Sequence, residues 1–295
     1  MSLVRSHRLA ATMMVGSAFM GTLESVFLRL LGPAASQGQV LLFRSGVQLL
    51  LVAMVGAWLT GSLGTVVRTQ RFPSHLLRGS LAAVAWWCYF MSFRSLPLAQ
   101  ATTLTFSSQL FVLALVWPML RERVTPAQMV ATLAGFAGVL VAAGVWNAAA
   151  PDWRVLYGIA NALLGAVMIL ITRSLSFTDR TETIMFYMAL VVFLSSIPQC
   201  AVDWTPLDPR SAVLLLLMAV AGTLSTWLMV AAYRRAEASA LAPYGYARLI
   251  FAAALGSWLF TDPIAASTVA GAALIVASNL GLLLFVAHTR KAAAS

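Results

Sequence analysis

Charge is what this chain lacks most. Only 9% of its 295 residues are charged, and acids are rarest, Asp and Glu numbering 9 against 19 Lys and Arg. A soluble globular domain carries roughly 25% charged residues, so that class is excluded. Cysteine is almost absent. Cys88 and Cys200 each lie inside an apolar run, which rules out a disulfide framework and a thiolate metal site. The three histidines, His7, His75 and His288, stand at the edges of apolar runs, far from one another and from either cysteine, so no metal is expected. There is no phosphate-cradling glycine loop and no paired nucleophile and base. ATP drive, an organic cofactor and an enzymatic role are therefore not expected.

What is present is apolar length. Hydrophobic residues make up 61% of the chain and mean hydropathy is +0.88. A spanning helix needs about 20 mostly apolar residues. Ten runs qualify as candidates: 9–31, 39–60, 75–93, 98–120, 126–146, 155–171, 184–202, 211–233, 241–260 and 264–287. The first run lacks a small-residue cleavage site and reads as a helix, not a signal peptide. The net charge of +10 raises nucleic acid as a partner, but its distribution argues for topology instead. Threading ten helices from a cytoplasmic N-terminus puts Arg5, Arg8, Arg68, Arg71, Arg78, Arg121, Arg123, Arg173, Arg180, Arg234, Arg235, Arg290 and Lys291 on the cytoplasmic side. The other side holds only Arg29, Arg44, Arg94, Arg154 and Arg210. That asymmetry is the positive-inside signal, with both termini in the cytoplasm. Arg248 alone belongs to neither side.

The chain also repeats itself at an offset of 140 residues. Phe93-Arg94 falls on Tyr233-Arg234, Phe111 on Phe251, Glu122 on Asp262, and Ala137 on Ala277. Five helices is an odd number, so two copies in one chain lie in opposite orientations. The expected fold is an all-α polytopic membrane protein of ten transmembrane helices built as two inverted five-helix repeats, residues 1–147 and 148–295. Such repeats supply two packings of similar energy that exchange access between the two sides, with a substrate site near the midplane.

The run Phe93-Arg94-Ser95-Leu96-Pro97-Leu98-Ala99-Gln100-Ala101-Thr102-Thr103-Leu104, then Leu120-Arg121-Glu122-Arg123 and Gly135-Phe136-Ala137-Gly138-Val139, resembles the EamA domain of the drug/metabolite transporter superfamily. Ala236-Glu237-Ala238-Ser239-Ala240 and Thr261-Asp262 look like a divergent second copy, with Asp262 where a glutamate is usual. The resemblance implies ten helices, alternating access and movement of small metabolites, with the fourth and ninth helices lining a central cavity. It leaves the substrate open.

Several polar residues stand within the apolar runs. Arg248 lies near mid-membrane, where a charge costs a few kcal/mol and marks a partner, a cavity or a substrate. Its planar fork suits a carboxylate or phosphate; the alternative is a tie to backbone carbonyls or to Glu24. Glu24 is the one acid well inside a helix, at a depth similar to Arg44. Either the two form a structural ion pair, or Glu24 faces the cavity and takes a substrate amine or a coupling proton. Thr102, Thr105 and Gln109 are spaced three then four, on one face of the fourth helix. Trp86 and Tyr89 share a face of the third. Tyr244, one helical turn before Arg248, is expected on Arg248's face, and Asn161 is an uncharged polar group in the sixth helix. Each of these either lines the substrate path or ties helices together.

The leading expectation is a secondary transporter of the bacterial inner membrane exporting a small amphoteric metabolite, an amino acid or a derivative, as monomer or homodimer in the lipid bilayer. Uptake or exchange of a nucleoside-bearing metabolite is the alternative within transport. A non-transporting scaffold, or an enzyme acting on lipid-linked substrates, is the alternative outside it.

Overall fold

A computed structural model of the protein describes residues 2–95, 104–143, 153–260 and 266–292. Among these residues there are ten helices of 13 residues or more and no strand. They are α1 (Ser2–Leu31), α2 (Gln37–Thr60), α3 (Phe72–Ser95), α4 (Ser108–Leu120), α5 (Pro126–Ala143), α6 (Val155–Leu175), α7 (Thr181–Val202), α8 (Pro209–Tyr233), α9 (Ala247–Phe260) and α10 (Ala266–Ala292). A single helical turn, Leu63–Val67, follows α2, and a short helix, Ala238–Leu241, runs into a 3-10 turn, Ala242–Tyr246, ahead of α9.

Local chemistry sets several boundaries. Ser36 and Gln39 form a capping box at the start of α2, and Gly61 ends that helix at φ 74°, a left-handed conformation that costs glycine least. Asp208 caps α8, whose first residue, Pro209, needs no N–H donor. Arg121 ends α4 in the left-handed region at φ 57°, its N–H bonded to the Trp117 carbonyl. Trp58, Trp117, Trp204 and Trp258 are exposed near helix ends, as interfacial anchors are.

Among the described residues, five helices are long and apolar enough to cross a bilayer unaided, over Arg8–Ala34, Gln37–Leu59, Val155–Leu175, Thr181–Val202 and Pro209–Tyr233. Two of the other expected runs are interrupted for identifiable reasons. Helix α3 carries His75 and Arg78 in its first turns, and the ninth run is broken by the 3-10 turn, so α9 has only 14 residues. The motif residues 96–103, the junction of the two proposed repeats at 147/148, and Asp262 lie outside the described residues.

Helix pairing obeys a two-fold rule. Helix α1 packs on α8, and α6 packs on α3. Helix α2 meets α8 as α7 meets α3, and α1 meets α9 as α6 meets α4. The α2–α7 and α5–α10 pairs map onto themselves. Adding five to every helix number thus reproduces the main packing, as an inverted repeat of five requires. Glycines let the crossings close. A Cβ on Gly38 of α2 would sit 2.6 Å from the Cys200 backbone nitrogen of α7, and one on Gly138 of α5 would sit 2.8 Å from the Gly271 carbonyl of α10. Helix α10 turns Gly271 and Ile275 toward α5, while Ala273, Ala277 and Gly281 face outward.

Candidate functional site

A cavity of about 320 Å³ opens between α1–α3, the helical residues 104–106 and α6–α9, and is bounded by neither α5 nor α10. Glu24, Ser25, Arg44, Trp86, Tyr89, Thr105, Asn161 and Arg248 all line it, joined by Met168, Met188, Met218 and Met229. Seven residues singled out from the sequence, scattered over more than 220 positions, therefore share one wall.

Glu24 and Arg44 form an ion pair. Arg44 Nε donates to Glu24 Oε1 at 2.5 Å, and the two side chains are 15% and 12% exposed. Gln48 Oε1 accepts from a second Arg44 nitrogen at 3.3 Å, and the Trp86 ring lies 5.9 Å from the guanidinium carbon. The carboxylate rests against Gly222 of α8, where a Cβ would approach Oε1 to 2.4 Å. The pair also lines the cavity, so the two readings of Glu24 are not exclusive. Its Oε2 accepts no hydrogen bond among the described residues.

Arg248 is the first-turn residue of α9 that reaches across to α1. Its Nη2 donates to the Gly21 carbonyl at 3.2 Å and to Ser25 Oγ at 2.7 Å, residues that bracket Glu24. Among the described residues Arg248 makes no ion pair, and it remains exposed to the cavity. It is tied to neutral acceptors through one nitrogen while keeping its charge uncompensated. Trp86 and Tyr89 pack edge to face at 5.8 Å between ring centroids.

Two expectations are corrected. Tyr244 does not share Arg248's face and is not among the residues lining this cavity; it borders a different groove, between α1, α9 and α10. The reason is the 3-10 geometry of Ala242–Tyr246, which advances about 120° per residue where an α-helix advances about 100°. Gln109 is likewise buried away from the cavity, its amide nitrogen lying 2.6 Å from where a Cβ on Gly245 would be. A break at Ser107, between the helical residues 104–106 and α4, separates the faces of Thr105 and Gln109. Thr102 lies outside the described residues.

Sequence reasoning missed a polar seal at the end of the molecule where α1 begins. Arg173 of α6 donates to Glu122 Oε1 at 2.8 Å and to the Tyr233 carbonyl, while Glu122 Oε2 accepts the Ala238 N–H at 3.1 Å. Arg78, 2% exposed, donates to Thr172 Oγ1 at 2.7 Å and to the Ile184 carbonyl at 3.1 Å. His75 bonds Asp179 at 2.5 Å, and Thr69 donates to the same carboxylate oxygen at 2.7 Å. Together these join α3 and the end of α4 to α6, α7 and α8. The three-residue spacing of His75 and Arg78, one face of a helix, was the available signal.

The profile of the EamA-like transporter family matches residues 8–144. The chain is 31% identical to a riboflavin transporter of Vibrio cholerae over 72% of each chain. The chain belongs to the EamA-like transporter family, within the drug/metabolite transporters. This transporter is also 29% identical to an S-adenosylmethionine uptake transporter of Rickettsia bellii, over 78% of its own length and 77% of the relative's. It is 29% identical to the pseudopaline exporter CntI of Pseudomonas aeruginosa, over 85% and 86%. A solved structure described only as the crystal structure of a protein superposes with a TM-score of 0.77 at 15% identity, covering 94% of this chain and 96% of that one, which bears on the fold alone. The transporter is thus a multi-pass membrane protein whose relatives move small molecules in either direction. Within it, Glu122 links the α4–α5 turn to α6 through Arg173.

Proposed function

We propose that the protein is a secondary transporter exporting a small amphoteric metabolite, an amino acid or a derivative of one, across the bacterial inner membrane by alternating access. One observation carries the reading. The cavity holds two guanidinium groups, Arg44 and Arg248, against one carboxylate, Glu24, and only Arg44 is neutralised. The surplus positive charge is on Arg248, whose remaining nitrogens suit a substrate carboxylate. The free Oε2 of Glu24 suits an amine, or the coupling proton when the site is empty. Trp86, Tyr89 and the four methionines suit an apolar or heteroaromatic side group.

The arginine distribution supports cytoplasmic termini, and the two-fold helix pairing supports repeats at 1–147 and 148–295 that rock about the cavity. Direction follows the gradients of substrate and coupling ion. A second reading, uptake or exchange of a nucleoside-bearing metabolite, draws on the Trp86–Tyr89 wall beside Arg44 and on the relatives' names.

The test is thermal stabilisation of the purified protein by amino acids, S-adenosylmethionine and riboflavin, with Arg248→Ala and Arg248→Lys alongside. A ligand at 100 times its Kd adds about 2.7 kcal/mol. A carboxylated ligand should stabilise the wild type, lose its effect in Arg248→Ala, and remain weakened in Arg248→Lys, which lacks the fork. A carboxylated ligand that stabilises Arg248→Ala as well as the wild type would refute the anion anchor. Stabilisation by riboflavin alone would favour the second reading.

A further inference from the structure

A second and larger hollow, about 660 Å³, lies on the outside of the helix bundle, between α1, α9 and α10. Its walls are almost wholly apolar, with Val15, Phe251 and Val276 among them. Helix α1 packs closely along α8 and α9 but touches α10 at few places, and this leaves the cleft. The apolar run of α1 begins at Leu9, directly after Arg8, which puts Arg8 at the membrane boundary. From Arg8 to Val15 the groove descends about 10 Å into the hydrocarbon, at 1.5 Å per residue. At that depth the surrounding medium is acyl chain, and a void of this size left unfilled would forfeit the dispersion contacts of its entire lining.

Four polar side chains border the groove, Arg8, Thr12, Tyr244 and Asn279, and the Thr12 hydroxyl is already spent on the Arg8 carbonyl. Arg8 has no acidic partner among the described residues, and no Asp or Glu precedes Glu24 in the sequence. Arg290 and Lys291 occupy the same end of α10. The Tyr244 side chain is 5% exposed and its hydroxyl has no hydrogen-bond partner among the described residues; Asn279 Oδ1 is likewise buried and unpartnered. A buried polar atom left unpaired costs about 1–3 kcal/mol, so two beside one apolar groove call for a ligand with polar atoms near its apolar part.

We propose that this groove is a binding site for an anionic glycerophospholipid of the bilayer. One acyl chain lies between α1, α9 and α10, the phosphate sits at Arg8, and the glycerol and ester region reaches Tyr244 and Asn279. Charge selects the lipid, because Arg8 stands at the mouth of the groove with no acidic partner among the described residues. The site touches the transport path through the backbone, since Tyr244 belongs to the 3-10 turn that leads into Arg248.

Native mass spectrometry of the full-length protein, purified in detergent with equimolar phosphatidylglycerol and phosphatidylcholine, reads this directly. The wild type should retain one phosphatidylglycerol per chain in preference to phosphatidylcholine. Arg8→Gln should lower that preference about fivefold, the usual worth of one basic residue near an anionic headgroup. Val276→Trp fills the groove from a side chain already 43% exposed, so the fold should tolerate it, and it should abolish retention of both lipids. Equal retention of the two lipids by the wild type, or undiminished phosphatidylglycerol on Val276→Trp, would overturn the proposal. So would a lipid-free dimer that Val276→Trp splits into monomers, because the groove would then hold a second copy of the chain.

Discussion

The Glu24–Arg44 pair permits a quantitative test of how the cavity is held together. With Nε and Oε1 2.5 Å apart, the charge centres are about 4 Å from one another, worth about 4 kcal/mol at an effective dielectric of 20 and about 1 kcal/mol in bulk water. Exposures of 12% and 15%, on the wall of a cavity, put the pair between those limits, at about 2 kcal/mol of coupling. Glu24→Gln leaves Arg44 with only Gln48 Oε1 at 3.3 Å and the distant Trp86 ring, and should cost about 2 kcal/mol. Arg44→Gln strands the carboxylate against Gly222 and should cost as much. The double variant should cost less than the sum by the coupling energy, which is roughly thirtyfold in the folding equilibrium. Reversible unfolding in one detergent at fixed ionic strength measures all four proteins. Costs that add to within about 0.5 kcal/mol would show that the two side chains do not sense each other, and the electrostatic account of the site would fail.

Other expectations follow from the packing. Gly38→Ala must open the α2–α7 crossing, because its Cβ would meet backbone atoms of Gln199 and Cys200 at 2.8 and 2.6 Å. The cost should be about 1–3 kcal/mol, and Cys200, 4% exposed, should gain maleimide reactivity while Cys88 stays protected; unchanged labelling of Cys200 would contradict the crossing. Glu122→Gln removes the charge facing Arg173 and should destabilise by about 1–3 kcal/mol, with Arg173→Gln giving a similar loss in the same unfolding assay. The Asp208 carboxyl is held below the usual aspartate value chiefly by the hydrogen bond from Ser211. Its capping contribution is therefore present at neutral pH and lost as pH falls through that lowered value. Asp208→Asn should erase this acid-dependent component of stability, and an unaltered acid profile would remove Asp208 from the account.

Much of the cavity was legible in the sequence because charge is so scarce. Where only 9% of residues are charged, an arginine at 248 or an acid at 24 inside an apolar run stands out, and both line the cavity with Arg44. Trp86 and Tyr89 joined them because helical spacing predicts a shared face wherever the helix is regular, and Thr105 and Asn161 because polar side chains are scarce inside apolar runs. That rule failed at Tyr244 and Gln109, where a 3-10 turn and a break at Ser107 rotate the chain. Neither break is announced by composition: Pro243 and Gly245 flank Tyr244, but both residues also occur inside regular membrane helices.

Hydropathy is a property of each segment against the bilayer, so the sequence by itself determined an all-α polytopic membrane protein, and its 140-residue repeat anticipated the two-fold pairing of the helices. Partnership between distant residues is a property of the packed bundle. That Glu24 takes Arg44 while Arg248 keeps to Gly21 and Ser25 depends on which helices cross and where a glycine lets them close. The seal of Glu122, Arg173, His75 and Asp179 arises the same way, from residues up to 104 positions apart whose side chains meet only when α6 packs against α3 and α4. Local energetics fix what each segment is; only the tertiary contacts decide which charge answers which.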